Sequence, residues 1–143
     1  TENEFLCYTV TYKQTEKNGE KNMGKVKQSL EDLTKEMLVD FGMPTHLKGY
    51  RYLCVAIATA AKKRNILNVK VKDLYTQLAE TYADTISNVE AAIRQAIDET
   101  WALDDTGTLA MYFGYGNDTE TRPENEAFIV FVADRVQMIR RFQ

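Results

Sequence analysis

The chain predicts an all-α fold: a compact bundle of about six helices containing a helix-turn-helix, preceded by a short strand-like extension. Three observations carry that prediction. From Leu30 onward, apolar residues recur at intervals of three and four, the spacing of one helix face. Gly42 and Gly114 close two such segments, and the loops at Asp104–Gly107 and Asn117–Pro123 separate others. Only FLCYTVTY, Phe5–Tyr12, has the aromatic and β-branched character of a strand.

Taken in order, that strand is followed by a polar stretch with Gly19 and Gly24 that reads as a turn or linker. A lone strand cannot bury itself, so it must pair with a second copy, dock on the helical body or be the remnant of a missing domain. Residues 1–28 are therefore assigned to an extension and linker, and residues 29–143 to the helical domain. Leu30, Leu33, Met37, Leu38 and Phe41 mark a first helix that stops at Gly42, with Pro44 soon after. Lys48 to Lys63 forms a second, with Tyr52, Val55, Ala56, Thr59 and Ala60 on its inner face. Asn65 to Lys70 bridges to the next pair. Thr108 to Phe113 is a short helix, and Asn125 can cap a last one carrying Phe128, Ile129, Val132, Val136 and Ile139.

Between them lies LYTQLAETYADTISNVEAAIRQAIDETW, Leu74–Trp101. Leu74, Leu78, Ala79 and Tyr82 make one apolar stripe; Val89, Ile93, Ala96, Ile97 and Thr100 make a second. Ala79 sits where the two helices cross closely, and Ala83 lies in the turn. Ser87 and Glu90 match a capping box, in which the hydroxyl takes a free N–H and the carboxylate reaches back to the cap. The outer face carries Ser87, Ala91, Arg94, Gln95 and Asp98, with Asn88 and Glu90 on its flanks. Two helices joined this tightly form the arrangement whose second helix enters the DNA major groove. Helical hairpins that bind nothing share the pattern.

Charge bears on this reading without settling it. The net charge is −3, whereas nucleic-acid binding draws on phosphate neutralisation. Between Ser29 and Trp101, nine Lys or Arg face ten Asp or Glu. Lys62, Lys63, Arg64, Lys70 and Lys72 nevertheless cluster before the first helix of the pair, and a local cationic face can exist on an acidic molecule. A positive patch joining Lys48, this cluster and Arg94 would favour DNA; an acidic or apolar one would favour a protein partner.

Other function classes are excluded more firmly. Charged residues interrupt every apolar run, so no membrane span is expected. Cys7 and Cys54 are too few for a disulfide framework and read as reduced thiols of a cytoplasmic protein. With His46 the single histidine, no zinc cluster can be assembled from Cys and His. Phosphate-binding, zinc-protease and nucleophile-elbow motifs are absent, and no catalytic activity and no cofactor are expected. The start at Thr1 and the lack of a signal peptide read as a trimmed chain or a fragment.

MPTHLKGYRYLCVAI (Met43–Ile57), TISNVEAAIRQAIDETW (Thr85–Trp101) and YFGYG followed by RPENEAFIVFVAD (Tyr112–Asp134) occur in order. Together they resemble the C-terminal DNA-binding effector domain of the sporulation master response regulator, the stage zero sporulation protein A family, over roughly Leu30 to Arg141. The resemblance implies a helical transcription factor that binds short promoter boxes in double-stranded DNA and activates or represses transcription, with RNA polymerase or a sigma factor as a further partner. In that family a receiver domain precedes the DNA-binding domain; residues 1–28 are too short for one, so phosphorylation control is not placed on this chain.

Arg94 is the leading base reader, since a guanidinium pairs bidentately with guanine O6 and N7. The alternative is a solvated arginine paired with Glu90 one turn earlier. Glu90 itself is expected to cap the helix, orient Arg94 and accept from a cytosine amine. Gln95 and Asn88 could meet adenine or phosphate, or be ordinary exposed amides. By resemblance, His46–Tyr50 (HLKGY) is a phosphate-side element, with Lys48 and the N–H groups of that helix start holding a phosphate. The plainer reading is a simple helix start with Gly49 admitting a close neighbour. Arg122 stands where the family often has a lysine near the DNA backbone. Tyr112, Phe113 and Tyr115 could stack on bases, but FGYG reads better as a core-closing turn. The chain departs from the family at Asn88 and Ala91, where arginines are usual, and at Gln95, where a histidine is usual. Each lost guanidinium removes a contact worth about 1–3 kcal/mol, which motivates an alternative: a divergent helical protein-interaction module without specific DNA binding. Finally, the last helix carries Phe131 and Met138 beside its inward stripe, which predicts a weak homodimer populated on DNA.

Overall fold

The computed structural model describes residues 28–114 and 122–143. The strand expected at Phe5–Tyr12, Cys7, Tyr115 and most of the extension proposed for residues 1–28 lie outside the described residues. Six α-helices follow one another, with no strand among the described residues: α1 (Leu30–Asp40), α2 (Lys48–Ala61), α3 (Val71–Thr81), α4 (Ile86–Leu103), α5 (Thr108–Tyr112) and α6 (Asn125–Arg141). A single 3-10 turn, Ile66–Asn68, sits in the bridge between α2 and α3.

Helix α1 starts where Ser29 Oγ accepts the Asp32 N–H at 3.0 Å, satisfying one of the donors a helix start leaves open. It ends at Phe41, with Gly42 at φ 91°, a left-handed position that glycine takes at no steric cost. Gln28 and Gln143 exchange two hydrogen bonds, of 3.0 and 2.8 Å. The start of the helical body is thereby held beside the end of α6.

Helix α2 is the centre of the bundle and packs against α1, α3, α4 and α6. Tyr52, Leu53, Cys54, Ala56, Ile57, Ala58, Ala60 and Ala61 are all buried. Val55, expected on the inner face, is instead 37% exposed. A helix enclosed on most sides has no single inward stripe, so its small residues mark close approaches rather than a face. Each of Leu53 and Ile57 contributes about 1.5–3 kcal/mol by burial. Burial also pushes the Cys54 thiol pKa up, leaving it a poor nucleophile.

An aromatic cluster closes the far end. Phe113 stacks on Phe128 at 5.5 Å and 10°, while Trp101, Phe41 and Tyr112 meet these rings edge-on or tilted. Tyr112 and Phe113 are thus core residues, as the core-closing reading expects. Phe131 lies 4.3 Å from the Phe113 ring, and the Arg135 guanidinium covers it at 4.8 Å. The residue expected to face a partner copy is therefore half-buried, with part of its ring packed inside its own chain.

Candidate nucleic-acid interface

Helices α3 and α4 are joined by Tyr82–Thr85. Ala83 adopts φ 53°, and the Asp84 N–H then reaches the Ala79 carbonyl at 2.9 Å. Thr85 caps α4: its Oγ1 accepts the Asn88 N–H at 3.0 Å. The capping box expected at Ser87 and Glu90 is not formed. Ser87 already lies inside the helix, because Thr85 supplies the cap oxygen two residues earlier. The inner face is as expected, with Val89, Ile93, Ala96, Ile97 and Thr100 fully buried and Trp101 added to them. Ser87, Asn88, Glu90, Ala91, Arg94, Gln95 and Asp98 are exposed.

Gly49, at the start of α2, sits on the backbone of α4. A Cβ there would overlap the Ala92 carbonyl and lie 2.8 Å from Ala96 Cβ. This contact brings exposed Lys48 beside the α4 N-terminus. His46 is exposed in the turn before α2.

Asp84 joins these parts. Its Oδ2 accepts the Tyr52 hydroxyl at 2.6 Å and lies 3.7 Å from Lys48 Nζ. Its Oδ1 accepts the Thr85 N–H at 2.8 Å and Asn88 Nδ2 at 3.0 Å. Only 11% of its side chain is exposed. The hydrogen bonds from Tyr52, Asn88 and Thr85 hold its pKa down at about 2, so it is an anion at neutral pH. Burial, then the neighbouring carboxylate, pushes Tyr52 up to about 12, which keeps the phenol a donor.

Toward the other end of the face, Arg94 Nη1 pairs with Glu124 Oε2 at 3.1 Å rather than with Glu90. The described segment just before α6, residues 122–124, lies beside α4, and it puts a carboxylate 30 residues away closer than the one a turn earlier. Glu90 is used through its backbone: its carbonyl accepts from Asn125 Nδ2 at 3.1 Å. Asn125 is accordingly a buried first residue of α6 and not its cap, which falls on Glu124 without a side-chain bond. Gln95 donates to Glu99 Oε1 at 3.2 Å. Arg122 makes an ion pair with Asp98 of α4, which places it on the same face.

The basic cluster divides. Lys70 and Lys72 share an open cleft of about 740 Å³ with Ile86, Glu90, Arg94 and Glu124. Lys62 turns to Glu31 at 3.2 Å, about 20 Å of helix from Lys48. Gln137 of α6 clamps the carbonyls of Ala61 and Lys63 at 3.0 Å each. Thus Lys48, Lys70, Lys72, Arg94 and Arg122 flank α4, whereas Lys62–Arg64 belong to the other end of α2. Three residues of this face escape sequence reasoning: Asp84, Glu124 and Ile86, an apolar side chain 47% exposed in the first turn of α4. Ile86 could have been noticed as an apolar residue off the inner stripe, and Asp84 as a carboxylate next to the Thr85 cap; the links of Asp84 to Tyr52 and of Glu124 to Arg94 span 30 or more residues and leave no local signal.

The chain therefore offers a groove-sized helix with an exposed N-terminal half, flanked by cations of which Lys48, Arg94 and Arg122 are each countered by a carboxylate. A family model described as sporulation initiation factor Spo0A C terminal matches residues 34–136, from within α1 to within α6.

Proposed function

We propose that this chain, which belongs to the family of Spo0A C-terminal sporulation initiation factor domains, is a sequence-specific reader of promoter DNA. The family is one of DNA-binding effector domains of a sporulation regulator, not of enzymes. The observation that carries the specific reading is the exposed half of α4 from Ser87 to Asp98, seated on α2 through Gly49 with Lys48 beside it. In this reading α4 enters the major groove, Arg94 leaves Glu124 to read a base, and Gln95, Asn88, Ser87, Ala91 and Glu90 form the rest of the reading surface. Lys48, His46 and Arg122 lie along the phosphates.

Ile86 adds a partner for a thymine methyl. No helix among the described residues is long and apolar enough to cross a membrane, and a cytoplasmic location accompanies the proposal. Two copies on paired boxes, in contact with RNA polymerase or a sigma factor, complete it. Phe142, 68% exposed at the end of α6, is a better probe of the contact between copies than Phe131.

Selection of bound duplexes from a random library at low salt, followed by sequencing, tests the reading. The wild-type chain should enrich one motif, and Arg94→Ala should flatten one of its positions at a cost of about 1–3 kcal/mol. No enrichment over bulk DNA would defeat the proposal and favour the protein-interaction module, which the carboxylates on Lys48, Arg94 and Arg122 would suit.

A further inference from the structure

Helix α2 is enclosed on most sides, and of its residues only Lys48, Arg51 and Val55 are exposed. They follow at intervals of three and four, on one line of the helix surface. The side of α2 left to solvent thus begins with two cations. Helix α1 faces them with Lys35, also exposed. The three charges line an open cleft of about 660 Å³ between α1 and α2. Glu31 is the one carboxylate among its described lining residues, and it pairs with Lys62 at 3.2 Å. Neither Lys35 nor Arg51 makes an ion pair with a described residue. By contrast, the cleft that holds Lys70, Lys72 and Arg94 also holds Asp73, Glu90, Glu124 and Glu126. The positive excess belongs to the α1–α2 cleft.

That excess matters on a chain of net charge −3. Each DNA phosphate neutralised by a protein cation releases counterions, and this release drives much of the binding. A cation already countered by a carboxylate gains less from a phosphate, and Lys48, Arg94 and Arg122 are all countered. In the DNA reading, Lys48 marks the phosphate ridge beside the N-terminus of α4. Arg51 stands three residues further along α2, about 5 Å up its axis. That is comparable with the axial step of about 3.4 Å per phosphate on one DNA strand. Lys35 extends the same line from the α1 wall of the cleft.

Resting on the DNA reading above, we infer that the α1–α2 cleft is a phosphate-binding site for duplex DNA flanking the box that α4 reads. Lys35 and Arg51 hold the backbone beyond Lys48. They add affinity and carry no base preference.

A salt series of duplex affinities, measured by anisotropy with the full chain on its library-selected motif, tests it. Lys35→Ala and Arg51→Ala should each make the fall of log K with log salt shallower by about one. The double variant should lose about two, and its selected motif should stay that of the wild type. Lys63→Ala removes the same charge from an exposed position just past the far end of α2, and should leave the slope unchanged. All three side chains are exposed, so the variants should keep the thermal midpoint of the wild type. Unchanged slopes in both single variants, or an equal change in Lys63→Ala, would overturn the inference. A different motif in the double variant would also overturn it, by making these residues base readers. So would competition by inorganic phosphate at fixed ionic strength that the double variant abolishes, because the cleft would then hold a free anion. If the wild type enriches no motif, the DNA reading falls and this inference with it; an enriched motif with unchanged slopes removes the inference alone.

Discussion

Asp84 and Glu124 both place a carboxylate against a cation of the α4 face, yet they are different devices. Asp84 is 11% exposed and accepts from a buried phenol, a backbone N–H and an amide besides facing Lys48. Glu124 is 74% exposed and makes one ion pair, with Arg94. Enclosed, multiply bonded carboxylates fix their partners, while exposed single pairs contribute about 0–1 kcal/mol and exchange readily. One end of α4 is thus anchored and the other only latched. Asn88 is presented in a set orientation, and Arg94 is released whenever a stronger acceptor arrives.

The largest expected effect lies at the seat that both ends share. Gly49→Ala drives a methyl into the Ala92 carbonyl, and backbone cannot move aside as a flexible side chain can. We expect a loss of about 3 kcal/mol in denaturant unfolding; a loss below about 1 kcal/mol would mean that α2 and α4 slide freely and that neither end is held.

The anchored end should carry a pH signature. The Asp84 pKa lies at about 2 in the folded chain against an ordinary value of 3.8. Because the folded value is the lower one, its stabilisation is complete above about pH 4 and drains away as the pH falls toward about 2. Thermal unfolding followed from pH 5 to pH 2 should show this slope, and Asp84→Asn should flatten it. Equal slopes in the two proteins would demote Asp84 to the same class as Glu124.

At the latched end, Glu124→Gln removes the charge that competes with DNA for Arg94. Stability should change by less than about 1 kcal/mol, and duplex affinity measured by anisotropy should rise about two- to fivefold, most at low salt. A fall in affinity would show that Glu124 orients Arg94 for reading. The smallest effect is expected in the turn beside the anchor. Ala83 occupies φ 53°, a conformation that costs a residue with a Cβ about 1–2 kcal/mol. Ala83→Gly relieves that cost but adds freedom to the unfolded chain, for a net gain of about 0.5 kcal/mol.

What the sequence could and could not reveal follows the range of the interactions. The inner face of α4 is legible because Val89, Ile93, Ala96 and Ile97 repeat at helical spacing, and periodicity is a local property. Gly42 and Gly114 end helices for reasons equally local. The start of α4 is misread by two residues, since Thr85 and Ser87 carry the same hydroxyl and only the path of the turn selects between them. Val55 is misplaced because α2 is enclosed on most sides. The partners of Arg94, Asn125 and Tyr52 depend on segments 30 or more residues away, and spacing along the chain carries no trace of them.

Helix α4 is held by its apolar inner side and by its Ala92 backbone against Gly49, so positions 91 and 95 contribute nothing to its seat and position 88 adds only its link to Asp84. Side chains there can be exchanged over evolutionary time while the scaffold stays fixed. Asparagine, alanine and glutamine in place of arginine, arginine and histidine are what such freedom permits. If α4 reads DNA as proposed, a lineage can retarget this domain by swapping a few outward letters, much as a type head is changed without rebuilding the press.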